Sequence, residues 1–180
     1  MGRDENERGR FFRSLEEIEK MRDLKVFDEA VATFFEPIAR RLALPLLKVR
    51  AGIYEIPSPH FIMRIWLDTG HRRGLNVILR QTSVHDFDEN KPGVQYGIGA
   101  FMQFHGERLD QTFIEVDSDK EFFKRAQLLA QAADLYGVPY LLGRGEDWEA
   151  VKEMISKKTA EDLNKIGEYR FPKNVRKEWI

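Results

Sequence analysis

The chain reads as an α+β domain. The expected architecture is an N-terminal helical region, then a mainly antiparallel sheet of five to six strands packed against helices, then two C-terminal helices. Three observations predict it. The apolar period changes from helical to two at Lys48. The breaks between the period-two segments, Pro57-Ser58-Pro59 and Thr69 to Gly74, are short enough for hairpins and too short for crossovers. Two Ser-x-x-Glu capping boxes, Ser14 to Glu17 and Ser118 to Glu121, mark helix starts on either side of the strand-rich stretch.

At the N-terminus, residues 1–13 mix both charge signs with little to bury, and a disordered tail is expected before residues 14–180 form one domain. The helical region runs from Ser14 to about Ala43. Leu15, Ile18 and Met21 have helical spacing, and Asp28 reads as a second start. Val31, Phe34, Phe35, Ile38 and Leu42 continue one apolar stripe. Pro37 lies inside that stripe and must kink or divide the helix, because it removes an amide and crowds the preceding turn.

Three period-two segments follow: Val49-Ala51-Ile53, Phe61-Met63-Ile65-Leu67 and Leu75-Val77-Leu79. Each puts apolar residues on one side of a strand. A polar loop over Asp86 to Gly93 leads to an expected long strand from Val94 to about His105, where Gly97 and Gly99 suggest a bulge. Thr112 to Val116 reads as a fifth strand. The helix opened by Ser118 should be capped at Gly137, with Pro139 preventing continuation, and Val138 to Leu142 reads as a short sixth strand. A last helix is expected from about Glu146 to Asn164, and the tail ending in Trp179-Ile180 reads as docked.

Composition excludes several classes. A chain of 180 residues with no cysteine has neither a disulfide framework, nor a thiolate nucleophile, nor a cysteine zinc site. A formal net charge of −1 disfavours a histone-like nucleic-acid binder, though not a local basic patch. The charged start has no signal-peptide apolar core, and no apolar run is long enough to span a bilayer. The expectation is a cytoplasmic protein of bacterial type, with no membrane partner and no cofactor.

Function is read from the second side of the strands. If one side is buried under helices, the other carries Arg50 and Tyr54, then Ile62, Arg64 and Trp66, then Asn76, Ile78 and Arg80. The fourth strand would add Phe101 and Gln103. Arginine among aromatics suits a partner surface, because a guanidinium offers a planar charged fork and aromatic rings supply area at low entropy cost. Either the C-terminal helix or the Trp179-Ile180 tail covers this face, with the arginine stems reaching along it to water, or the face is exposed and the chain is a small binding or accessory module, regulatory or toxin-neutralising. It would take a protein partner through Arg50, Tyr54, Arg64, Trp66 and Arg80. A nucleic acid or other anionic ligand on the same face is the close alternative.

An enzymatic alternative comes from the meander itself. The end of the first strand, the start of the second and the end of the third share one edge, which would gather Glu55, His60, His85, Asp86 and Asp88. Such a rim suits acid–base chemistry or a metal-dependent hydrolase, with His60, His85 and Asp88 as the ligands. No compact ligand motif fixes that geometry, so no metal is expected. At the opposite rim, Asp68, His71, Arg72, Arg73 and His105 read as a solvated hairpin tip. Tyr140 to Trp148 superficially resembles a strand–glycine loop–helix phosphate site. Glu146 and Asp147 would oppose a phosphate there, and Trp148 stands where a small residue is needed.

Overall fold

The computed structural model describes residues 15–68, 74–82, 95–107 and 118–166. Its elements are helices α1 (Leu15–Phe34) and α2 (Glu36–Arg41), strands β1 (Leu47–Arg50), β2 (Ile53–Pro57), β3 (Phe61–Asp68), β4 (Gly74–Gln81) and β5 (Gln95–Gly97), then α3 (Ile98–Phe104), α4 (Asp119–Ala132), α5 (Val138–Leu141) and α6 (Trp148–Ile166). The five strands form one antiparallel sheet in chain order, β1 to β5. The α+β architecture with its antiparallel meander is as the periodicity indicates.

The helical region divides where Pro37 requires it. α1 ends at Phe34, Phe35 is the hinge, and Pro37 sits in the first turn of α2, where a missing amide costs nothing. Asp28 starts no helix; α1 runs through it. Its carboxylate accepts hydrogen bonds from Lys48 at 2.5 Å and from Tyr54 at 3.0 Å, which ties α1 to the first two strands. The Ser14 cap, the Thr112 to Val116 strand, residues 1–13 and the tail from 167 onward lie outside the described residues.

Among the described residues the sheet has five strands, by a different route from the one expected. The stretch read as a single first strand folds into a hairpin, β1 and β2, through a tight turn at Ala51-Gly52. Gly52 has φ +75°, a conformation that glycine adopts without penalty. The expected long fourth strand stops at Gly97 and becomes α3. Ile98 and Phe101, three residues apart, bury their side chains as a helix places them and a strand would not.

The sixth strand is absent and its residues are helical. α4 begins as the capping box predicts, with the Ser118 hydroxyl accepting from the Glu121 amide at 3.2 Å. It does not end at Gly137. A single π turn over Ala133–Gly137 carries it into α5, with Pro139 near the start of that segment. Val138–Leu141 therefore adds no strand to the sheet. Gly137 serves close packing: a Cβ there would fall 2.7 Å from Met63 Cε. Gly143, at φ +78°, then turns the chain towards α6.

The core lies on one side of the sheet. Phe61, Met63, Ile65 and Leu67 of β3 and Leu75, Val77 and Leu79 of β4 are buried, as predicted. They meet Phe27, Val31 and Phe35 from α1 and its hinge, Phe101 from α3, Phe122, Ala126 and Leu129 from α4, and Val151 from α6. An aromatic cluster closes one end, with Phe101 4.8 Å from Tyr140 and Phe61 4.8 Å from Trp148 between ring centroids. No described helix is long and apolar enough to cross a membrane.

Candidate functional site

Strand pairing fixes which side chains share the face opposite the core, because paired residues in an antiparallel ladder point the same way. One row across the sheet holds Leu47, Glu55, Arg64, Ile78 and Gly97. The next holds Arg50, Ile53, Trp66 and Asn76, and a third holds Pro57, Ile62, Arg80 and Gln95. Burial along β3 alternates strictly, and Ile62, Arg64 and Trp66 are half-buried while their neighbours are buried. Of the expected face residues, Arg50, Arg64, Trp66 and Arg80 are therefore together, beside Ile62, Asn76 and Ile78.

Tyr54 is not among them. It pairs with Ile65 on the core side, packs its ring 5.8 Å from Phe27 and donates its hydroxyl to Asp28. Burial is the first cause that raises its pKa, and the bond to Asp28 adds to it. The correction has one physical origin. The turn at Ala51-Gly52 resets the alternation, so Ile53 and Glu55 join the second face and Tyr54 leaves it. Glycine at position 52 is the sequence signal for that turn. Phe101 and Gln103 are also displaced, because they lie on α3, and Phe101 is fully buried.

Electrostatically, the centre of the face is an ion pair. Arg64 donates from Nε to Glu55 Oε1 at 2.8 Å, and its Nη2 lies 2.7 Å from the same oxygen. The two side chains are only 15% and 14% exposed, so this pair is screened far less than a surface bridge. Arg80 stands diagonally across from Arg64. Burial first, then the Arg64 charge, pulls its guanidinium below the ordinary arginine range, while Glu55 opposes the shift. Arg50 is exposed at the edge. The face thus combines apolar area from Ile53, Ile62 and Trp66 with guanidinium groups and one internal carboxylate.

The rim proposed for metal or acid–base chemistry is only partly gathered. The topology does bring the end of β4 to the β2–β3 turn: the Thr82 amide donates to the His60 carbonyl at 3.0 Å, and the Thr82 hydroxyl to the Ser58 carbonyl at 3.1 Å. Glu55, however, is engaged by Arg64 on the sheet face. The His60 ring packs against Gly143, where an added Cβ would fall 2.8 Å from Nε2. His85, Asp86 and Asp88 lie outside the described residues. Among the described residues, no group of three or more histidine and acidic side chains is placed to hold a metal ion.

At the other rim, His71, Arg72 and Arg73 lie outside the described residues, and His105 is not on a strand. It ends α3, stacks on Tyr136 at 5.3 Å and lies 3.5 Å from Asp147. The other Asp147 oxygen accepts the Tyr140 hydroxyl, so this carboxylate joins the ends of α3 and α5 to the start of α6. In the sequence Asp147 stands out only as a charge opposing a phosphate, and nothing in its spacing signals the contact with His105. The loop between Tyr140 and Trp148 follows a helix, so the strand–loop–helix order of a phosphate site is missing. Comparison of the chain with protein-family models, with curated proteins and with solved structures finds no match to any of them.

Proposed function

We propose that this chain is a cytoplasmic binding module whose partner is a protein. The partner docks on the sheet face built by Arg50, Ile53, Ile62, Arg64, Trp66 and Arg80. One observation carries the reading: the described helices bury their core residues against one side of the sheet, while on the other Arg64, Trp66 and Arg80 lie half-buried around a buried Ile78 and Arg50 is exposed. A half-exposed tryptophan flanked by guanidinium groups is the composition of an interface centre, where aromatic and arginine side chains supply most of the binding energy.

The partner's chemistry follows from the charges. Glu55 already neutralises Arg64, so the face offers apolar area around a neutral ion pair, with the Arg50 guanidinium exposed at its edge. That favours a protein surface carrying an apolar group and a carboxylate over a nucleic-acid backbone, which would meet Glu55 at the centre of its path.

The test is capture from native lysate by the wild-type chain and by the Arg64→Ala/Trp66→Ala double variant, each with and without nuclease. Nuclease-resistant capture that the double variant loses, with its unfolding transition retained, is the expected result. Equal capture by the double variant would remove this face from consideration. Loss of capture on nuclease treatment would assign the face to nucleic acid.

A further inference from the structure

The edge of the sheet next to α2 has a separate character. β1 pairs with β2 on one side only, and it ends the strand order. Alternate residues of such a strand direct their amide and carbonyl groups outward. Among the described residues, nothing hydrogen-bonds that outer side. All four β1 residues are exposed, including Leu47 at 47% and Val49 at 53%.

Edge strands are ordinarily blunted by an outward lysine, a proline, a bulge or shortness. β1 is four residues long with a register irregularity between Lys48 and Arg50, so a partner strand would pair chiefly at Leu47 and Lys48 and onward past the start of β1. Here the Lys48 ammonium is drawn inward, held by Asp28 and lying 5.5 Å from the centre of the Tyr54 ring. Pro45 precedes the strand and blocks none of its amides. Beyond the start of β1 is a groove of about 460 Å³, lined by Ala32, Glu36, Ala39, Arg40, Leu44, Leu46 and Tyr54 and by no residue of β1 itself. It lies between the α1–α2 elbow and the segment that leads into β1.

We propose that the free edge of β1 captures an extended, acidic segment of another protein as an added strand. Alternation gives the segment its pattern. Residues facing the core side enter the groove and must be small or aliphatic to meet Ala32, Ala39, Leu44 and Leu46. Those on the other side pass Leu47 and Arg50, and an acidic group there meets the Arg50 guanidinium. The charges select the occupant. Among the described residues, Glu36 is paired with Arg40 and Asp28 with Lys48, while no acidic group pairs with Arg50 beside the edge. A second copy of this chain would bring the same guanidinium, and its β1 has only 4 residues to pair. A longer peptide can continue past Leu47 along the groove.

The site shares Arg50 with the sheet face assigned above but uses neither Arg64 nor Trp66, and its test separates the two. The probe is a fluorescein-labelled peptide of four Val-Glu repeats, titrated with the full chain at low salt and read by anisotropy. Two companion probes are a Val-Lys repeat of equal length and a Val-Glu repeat N-methylated at alternate residues, which keeps the charge and deletes the pairing amides. Saturable binding of the first probe, weakened at least tenfold by N-methylation and absent for the lysine repeat, is expected. Val49→Pro, checked for retained fold by circular dichroism, should weaken it by a similar factor, whereas Arg64→Ala/Trp66→Ala should leave it within twofold. Binding of the N-methylated probe within twofold of the parent would overturn the proposal, because attraction would then be charge alone. So would equal binding of the lysine repeat, or no saturable binding of the parent peptide.

Discussion

The two faces of the sheet differ in what holds their side chains. On the core face, Phe61, Met63, Ile65 and Leu67 belong to one core with residues of α1, α3, α4, α5 and α6 and of the turns between them, so their places are fixed by packing from several elements. On the other face, Ile62, Arg64 and Trp66 alternate with them along the same strand, yet a charged pair with Glu55 sits at the centre. The even spacing of one strand hands half of its side chains to the core and the other half to the second face, which the proposed function uses for recognition. Substitutions on the two sides should separate stability from binding.

The largest separation is expected between Phe101→Ala and Trp66→Ala. Phe101 is fully buried among Tyr96, Tyr140 and Trp148, and its truncation should cost about 3–5 kcal/mol in chemical denaturation. Trp66 is half-buried, and its loss should cost less than about half of that. Equal losses would mean that the second face is as much a folding core as the first.

A smaller effect tests how closely the helical layer meets the core face. Gly137→Ala would place a Cβ 2.7 Å from Met63 Cε, in the π turn that joins α4 to α5. The crowding should cost about 1–3 kcal/mol. Met63→Ala in the same chain should relieve part of it, seen as a less-than-additive loss in a double-mutant cycle. Strict additivity would show that the two groups do not meet.

The smallest effect sharpens the second face. A cycle of Glu55→Gln and Arg64→Met should give a coupling energy of about 0.5–2 kcal/mol, because the pair is mostly shielded from water. The exposed Arg40–Glu36 pair on α2 should give no more than about 0.5 kcal/mol in the same measurement. Coupling no larger for Glu55–Arg64 than for Arg40–Glu36 would show that solvent screens both alike.

Legibility differed in the same way across the chain. Strands β3 and β4 were readable residue by residue, because one face is buried and the alternation is therefore written into the sequence. The face around Arg64, Trp66 and Arg80 follows from that alternation. Tyr54 was misplaced because a two-residue turn at Ala51-Gly52 reverses parity, and apolar residues at 49, 51 and 53 hide it. Val138 to Leu142 was misread because an apolar run of that length suits a short strand and a buried helical turn equally.

The sequence by itself determined the α+β class, the division of the first helix at Pro37, the Ser118 cap and the two-sided character of β3. Each rests on local chemistry: a missing amide, a side chain satisfying a free N–H, or a period of two. Only the tertiary structure decided that Gly137 lets a helix approach Met63, that Glu55 neutralises Arg64, and that His105 reaches Asp147. Those contacts join residues brought together by packing or by strand register, and a pair created that way leaves no period in the chain to read.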